Sequence, residues 1–161
     1  MIQPILLLGN PQLYQVSTPI TTEDYPLLPQ LETDLHDTLF EYRLVHKVGR
    51  AIAAPQIGVQ KRVLYLHFDE PLLIINPSLS FPDTETIQVW DDCMCFPNLL
   101  VHIERFNHCS LGYLDRNLQA RQINLTGSLS ELIQHEFDHL DGILATMRAL
   151  DYQSFRFIGA N

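Results

Sequence analysis

The sequence predicts an α+β protein: antiparallel β-strands packed around a C-terminal helix with an HExxH pattern, plus an N-terminal helix. Three observations carry this. Between Arg62 and Asn124 the chain runs through short, β-prone apolar segments separated by turn residues. Leu28, Leu31, Leu35, Leu39 and Tyr42 recur at spacings of three and four. Leu129, Leu132, Ile133 and Leu140 recur at helical spacing around His135-Glu136-Phe137-Asp138-His139.

Residues 1 to 24 read as an irregular arm, because Pro4, Gly9, Pro11 and Pro19 break any period. The first helix is expected over Leu28 to Leu44. His36 and His46 on it read as surface residues. Gly49 to Gly58, GRAIAAPQIG, is rich in small residues. It is either a plain connecting loop or the wall of a binding cleft with Gln56 offering an amide donor. Strands follow at Arg62 to His67, Leu72 to Ile75, Thr84 to Trp90, Val101 to Phe106, His108 to Tyr113 and Gln119 to Asn124. Glu70-Pro71, Asn107 and Asp115-Arg116-Asn117 supply turns, and Asn76-Pro77 is expected to end the second strand. Together they read as one antiparallel meander.

The second helix opens with Ser128 and, three residues on, Glu131, the spacing of a capping box. Its expected buried side is Leu129, Leu132, Ile133 and Leu140, and Gly142 stands where a left-handed cap closes a helix. Residues 146 to 161 read as a short tail. Repeats, linkers and low-complexity stretches are not evident, so residues 1 to 161 are expected to form a single domain.

Composition narrows the function classes. The chain has 161 residues, with 46% hydrophobic and 18% charged, ordinary proportions for a globular domain. A formal net charge of −9 argues against nucleic acid or anionic membrane as a partner. No run is long enough to span a bilayer, and the N-terminus lacks the basic region of a secretory signal, so a cytoplasmic location is expected. Three cysteines do not make a disulfide framework and suit a reducing compartment. In an extended segment Cys93 and Cys95 would point to opposite faces, which disfavours a mutual bridge.

The chemistry lies in the second helix. Imidazoles four residues apart share one face, so His135 and His139 can hold one metal ion, and Glu136 between them can take a proton from its water. A helix with two surface histidines is the plainer alternative. Trp90 to Pro97, WDDCMCFP, adds a third candidate ligand, Cys93. A thiolate and two imidazoles leave one tetrahedral position open, the pattern of a catalytic site. The plainer alternative for Cys93 is a buried free cysteine, and Cys95 and Cys109 keep that reading. His67, His102 and His108 read as ordinary strand or surface residues.

Gly49-Arg50-Ala51-Ile52-Ala53-Ala54-Pro55-Gln56, Asp91-Asp92-Cys93-Met94-Cys95 and His135-Glu136-Phe137-Asp138-His139 together resemble the three signatures of the peptide deformylases, GxGhAAxQ, EGCLS and HExDH, in the same order. That family removes the formyl group from the N-terminal methionine of nascent polypeptides and releases formate. The resemblance implies its α+β fold and one divalent metal, natively Fe2+ with Zn2+ or Ni2+ able to substitute, on Cys93, His135 and His139. It implies that Glu136 is the general base, and that Gln56 and the Met94 N–H stabilise the oxyanion. Gly49, Arg50 and Ala51 would pair with the peptide as an edge strand, and Arg105 with Asp91 would brace the cysteine loop. N-formylated peptide, on ribosome-associated nascent chains, is the implied partner of a monomer.

The chain departs from the signatures around the substrate. Ala51 replaces a glycine, Arg50 an apolar residue facing the methionine pocket, Asp92 a glycine, Asp91 a glutamate and Cys95 a serine. Glu131, one turn before His135 and beside Leu132, can approach the same pocket. A bare charge there is costly. Arg50 therefore pairs with Asp92 or Glu131, points to solvent, or recognises a substrate carboxylate. Three functions stay open: deformylation of methionyl peptides, hydrolysis of other N-formyl peptides or formamides, and silent binding of a peptide terminus. A zincin-type protease fits less well, since its third ligand is His or Glu.

Overall fold

The computed structural model describes residues 1–160. Helix α1, Leu28–His46, starts with Pro29 in its first turn, where a missing N–H costs nothing. It buries Leu28, Leu31, Leu35 and Leu39 of the apolar repeat, leaves Tyr42 half-buried, and stops where Lys47 turns left-handed at φ 61°. The helix runs two residues beyond Leu44.

Two antiparallel sheets follow. Strands β1 (Ala51–Ala53), β2 (Val63–His67), β3 (Pro71–Ser80), β6 (His108–Leu114) and β7 (Ala120–Thr126) form one, in the order β1-β2-β3-β6-β7. Strands β4 (Thr86–Asp92), β5 (Leu99–Phe106) and β8 (Phe155–Phe157) form the other, in the order β4-β5-β8. The single meander expected is thus corrected: β3 pairs with β6, and the β4–β5 hairpin leaves to build its own sheet.

Asn76-Pro77 does not end β3. The strand passes through it on a bulge between Ile75 and Ser78, where Asn76 takes φ 49°. A bulge is where a strand tolerates a residue without an N–H. The Asn76 side chain accepts from Ile20 N at 2.7 Å and donates to Ile20 O at 2.9 Å, pinning the N-terminal arm. The tail is not structureless either: after a 3-10 turn at Ala145–Arg148, β8 pairs with β5 from Leu99 to Val101. Three exposed residues carry too short a pattern to be seen in the sequence.

Helix α2, Ser128–Leu140, lies between the sheets. It buries ten residues, from Ser130 to Glu136 and from Asp138 to Leu140, so it is enclosed on several sides rather than on one. Leu132, Ile133 and Leu140 join a core with Ala51, Ala53, Leu64 and Ile74. Leu129 is instead exposed at the first turn, outside that contact. The capping box is also absent. Gly127 is the N-cap at φ 58°, as the tight step from β7 requires, and the Glu131 side chain is turned to Arg50. At the other end Gly142 has φ 71° and Ile143 N reaches Asp138 O at 2.9 Å, a left-handed cap. A Cβ on Gly142 would stand 2.5 Å from the Tyr14 carbonyl oxygen. No helix among the described residues is long and apolar enough to cross a membrane.

Candidate metal centre

Three elements deliver the candidate ligands. Cys93 follows the last residue of β4, in a turn closed by Phe96 N to Cys93 O at 3.1 Å. His135 and His139 project from α2 one turn apart, with ring centroids 5.0 Å from each other. One donor atom from each of the three lies within 4.8 Å of the others, and all three residues are buried. Cys93 Sγ is 3.3 Å from His139 Nε2. His135 Nδ1 is 2.8 Å from Asp91 Oδ2, which leaves Nε2 as its free donor.

These groups fit a divalent cation. Burial raises the Cys93 thiol well above its ordinary value and, with the charge of His135, lowers His139. Burial would lower His135 too, but Asp91 outweighs it and takes the value to about 9. A cation among them removes the conflict, because it favours thiolate and neutral imidazole alike. Two buried polar atoms beside the cluster, Glu136 Oε2 and His139 Nδ1, have no hydrogen-bond partner. Burial lifts Glu136 to about 7, against the pull of His135. A carboxyl of that value exchanges protons near neutrality.

Gln56 is held by its own backbone turn. Its Oε1 accepts from Ala53 N at 2.8 Å, so Nε2 points to the sulfurs of Cys93 at 3.7 Å and Cys95 at 3.5 Å. Gly49 to Gly58 is therefore no plain loop: it forms edge strand β1 and the 3-10 turn Ala54–Ile57 that carries Gln56. The two sulfurs also correct the sequence reading. Cys93 and Cys95 sit in a turn, not an extended run, and both face Gln56; they remain free thiols.

Behind the ligands runs an ion network of buried Asp91, Arg105 and Asp138, closed at the surface by Arg148. Asp138 takes Arg105 Nη1, and Arg148 at 2.5 and 2.6 Å. Arg105 Nη2 reaches Asp91 more loosely, at 3.4 Å. Arg105 thus braces the loop through Asp91 as expected, but its tighter partner is Asp138. Sequence reasoning did not single out Asp138 and Arg148; the only signal was Asp138 inside the helix motif.

The ligands open on a cleft of about 240 Å³. Gly49, Arg50 and Ala51 form one wall, Asp91, Asp92 and Met94 the other, and Leu132, His135 and Glu136 the floor. Gly49 has φ 116°, a conformation that favours glycine. Tyr42 and Val48 also line the cleft and were missed, since nothing in an apolar helical repeat marks one member as facing a ligand. Arg50 Nη2 pairs with Glu131 Oε1 at 2.7 Å, which selects Glu131 over Asp92 as its partner, while the Arg50 side chain stays 43% exposed to solvent. Asp92 is exposed.

A family model described as "Polypeptide deformylase" matches residues 2–154. A peptide deformylase of Rhizobium meliloti (strain 1021) is 33% identical over 149 residues, covering 89% of this chain and 82% of the relative. The crystal structure of peptide deformylase from Thermotoga maritima superposes with a TM-score of 0.84 at 30% identity, covering 94% of this chain and 99% of that one. A peptide deformylase from Synechococcus elongatus in complex with actinonin gives 0.86 at 26% identity, covering 94% and 81%. Matched along nearly its whole length, and with a Cys-His-His cluster at its centre, the chain belongs to the polypeptide deformylase family of metal-dependent hydrolases.

Proposed function

We propose that this chain removes the formyl group from the N-terminal methionine of nascent polypeptides, using residues 1–161 as one domain. The convergence of Cys93, His135 and His139 beside an unpartnered Glu136 carboxylate oxygen carries the reading. Cys93, His135 and His139 hold the metal, natively Fe2+, in keeping with the soft thiolate and two imidazoles. When bound, it supplies Lewis acidity that makes water a nucleophile near neutral pH.

The chain's own groups do the rest. Substrate lies along β1, the free edge of the larger sheet. Arg50 O accepts from His67 N across the ladder, so alternation turns the Ala51 N–H and C=O to the open side. Gln56 Nε2 and the Met94 N–H face the formyl oxygen as charge builds there, each contributing about 3 kcal/mol to the barrier. Glu136 takes the proton of the attacking water. The water oxygen bonds to the formyl carbon, the C–N bond breaks, and Glu136 passes the proton to the departing amine, leaving formate. Asp91 fixes the His135 ring, and Arg105 fixes Asp91. The enzyme acts as a cytoplasmic monomer on chains leaving the ribosome.

Formate release from formyl-methionyl-alanyl-serine by anaerobically prepared, iron-loaded protein tests this, beside a Glu136→Ala control. Turnover that the control loses is the expected result. Peptide binding without formate would establish a silent binder instead.

A further inference from the structure

Arg50 and Glu131 are 81 positions apart in the sequence and meet at 2.7 Å, joining edge strand β1 to helix α2. Glu131 is one helical turn ahead of His135, so the two side chains stand on the same face, about 5–6 Å apart at Cβ. Arg50 lines the same cleft as Leu132, His135 and Glu136. A substrate whose formyl carbon reacts beside His135 has its first side chain only two bonds past the amide nitrogen. That side chain must lie within reach of the pair.

We propose that the Arg50–Glu131 ion pair is the wall that meets the substrate's first side chain, and that it extends the substrate range to N-formyl peptides whose first side chain donates hydrogen bonds, such as glutamine. The inference rests on the deformylase reading above and deepens it. The Arg50 guanidinium is already matched by Glu131, and Asp92 adds an exposed carboxylate to the same cleft. An acidic side chain at this wall therefore meets two carboxylates beside a single guanidinium, which disfavours recognition of a substrate carboxylate by Arg50. A thioether lying on the pair strips water from it and returns no hydrogen bond. A side-chain amide of nearly the same length gives an N–H to Glu131 and takes one from Arg50. Burial raises the Glu131 carboxyl above its ordinary range, although Arg50 opposes this, so the acidic half of the pair is short of solvent while Arg50 keeps 43% of its side chain exposed.

The test measures kcat/KM on formyl-Gln-Ala-Ser, formyl-Met-Ala-Ser and formyl-Glu-Ala-Ser with iron-loaded wild type and the double variant Arg50→Ile/Glu131→Ile. The expected result is a Gln/Met ratio within about tenfold of unity in wild type, with the Glu peptide slowest. The ratio should fall by about 100-fold in the double variant, the discrimination a hydrogen-bonding wall confers. An unchanged ratio overturns the proposal. So does a wild type that favours Met by more than about 1,000-fold, a measurement that needs no variant to fold. Hydrolysis of the Met peptide alone leaves the deformylase reading standing and removes this inference; formate from none of the three removes both.

Discussion

The ion network behind the ligands and the mouth of the cleft are built in different ways. Behind the ligands, Asp91 binds both His135 and Arg105, and Asp138 binds Arg105 and Arg148; the Arg105 side chain is only 3% exposed, and Arg148 closes the network from the surface at 42%. At the mouth one ion pair joins β1 to α2, and its arginine is 43% exposed. A buried network fixes each member through several partners, so changing one strands the others. An exposed pair is screened by water and tolerates change. Departures from the family signatures nonetheless occur in both regions: Arg50 and Asp92 at the mouth, and buried Asp91 and Cys95 beside the ligands, where each substitute keeps a polar or charged group of similar size.

Four experiments would sharpen or break that contrast. The largest effect is expected from Glu136→Gln, which should lower kcat by about 100- to 10,000-fold. Its melting temperature should hold or rise, because the change removes a buried carboxyl whose Oε2 has no partner. A folded variant with full activity would take the general base elsewhere.

Next comes Arg105→Met, which leaves Asp91 and Asp138 short of a cation and should cost about 3–5 kcal/mol in urea unfolding. Arg50→Met, at the mouth, should cost no more than about 1 kcal/mol. Equal losses would erase the distinction between the network behind the ligands and the mouth.

Asp91→Asn should weaken metal binding by about 10- to 100-fold, because the second partner of His135 sets its orientation and basicity. Competition against a chelator reads this directly, and an unchanged affinity would leave Asp91 with only its role toward Arg105.

The smallest effect is a titration. Burial raises Glu131 above its ordinary 4.5, with Arg50 opposing. The folded state then binds this proton more tightly than the unfolded chain. The resulting stability is complete below 4.5 and is lost as pH rises through the folded value. In Arg50→Ala the opposing charge is gone, so the Glu131 carboxyl signal in a 13C NMR titration should move to still higher pH. A downward shift would show that Arg50 does not hold the carboxylate form.

Much of this was legible in the residues. Both helices sit where the apolar repeats put them, because three- and four-residue spacing is a local property of one turn. The strands fall close to their expected places for the same reason: alternation and turn residues act over a few positions. What was misread depended on partners far away. Gly127 caps α2 instead of Ser128 because the Glu131 side chain is turned to β1. Asn76-Pro77 continues a strand because the Asn76 amide is held by Ile20. Leu129 matches the apolar period yet stays 40% exposed while Ser130 beside it is buried, because packing against the sheets, not the period, decides which side of the first turn faces inward.

The spacing of His135, Glu136 and His139 settled by itself that two imidazoles share a face with a carboxylate between them, since 3.6 residues complete a turn. The sequence also marked Cys93 and Gln56 by the company they keep. Only the tertiary structure decided that Cys93 Sγ comes within 3.3 Å of a ring 46 positions on, and that Gln56 turns its amide to that sulfur across 37. It alone chose Glu131 over Asp92 as the partner of Arg50. Helical periodicity is written within a few neighbouring residues, whereas these meetings depend on how two sheets clasp one helix, which no short stretch of chain specifies.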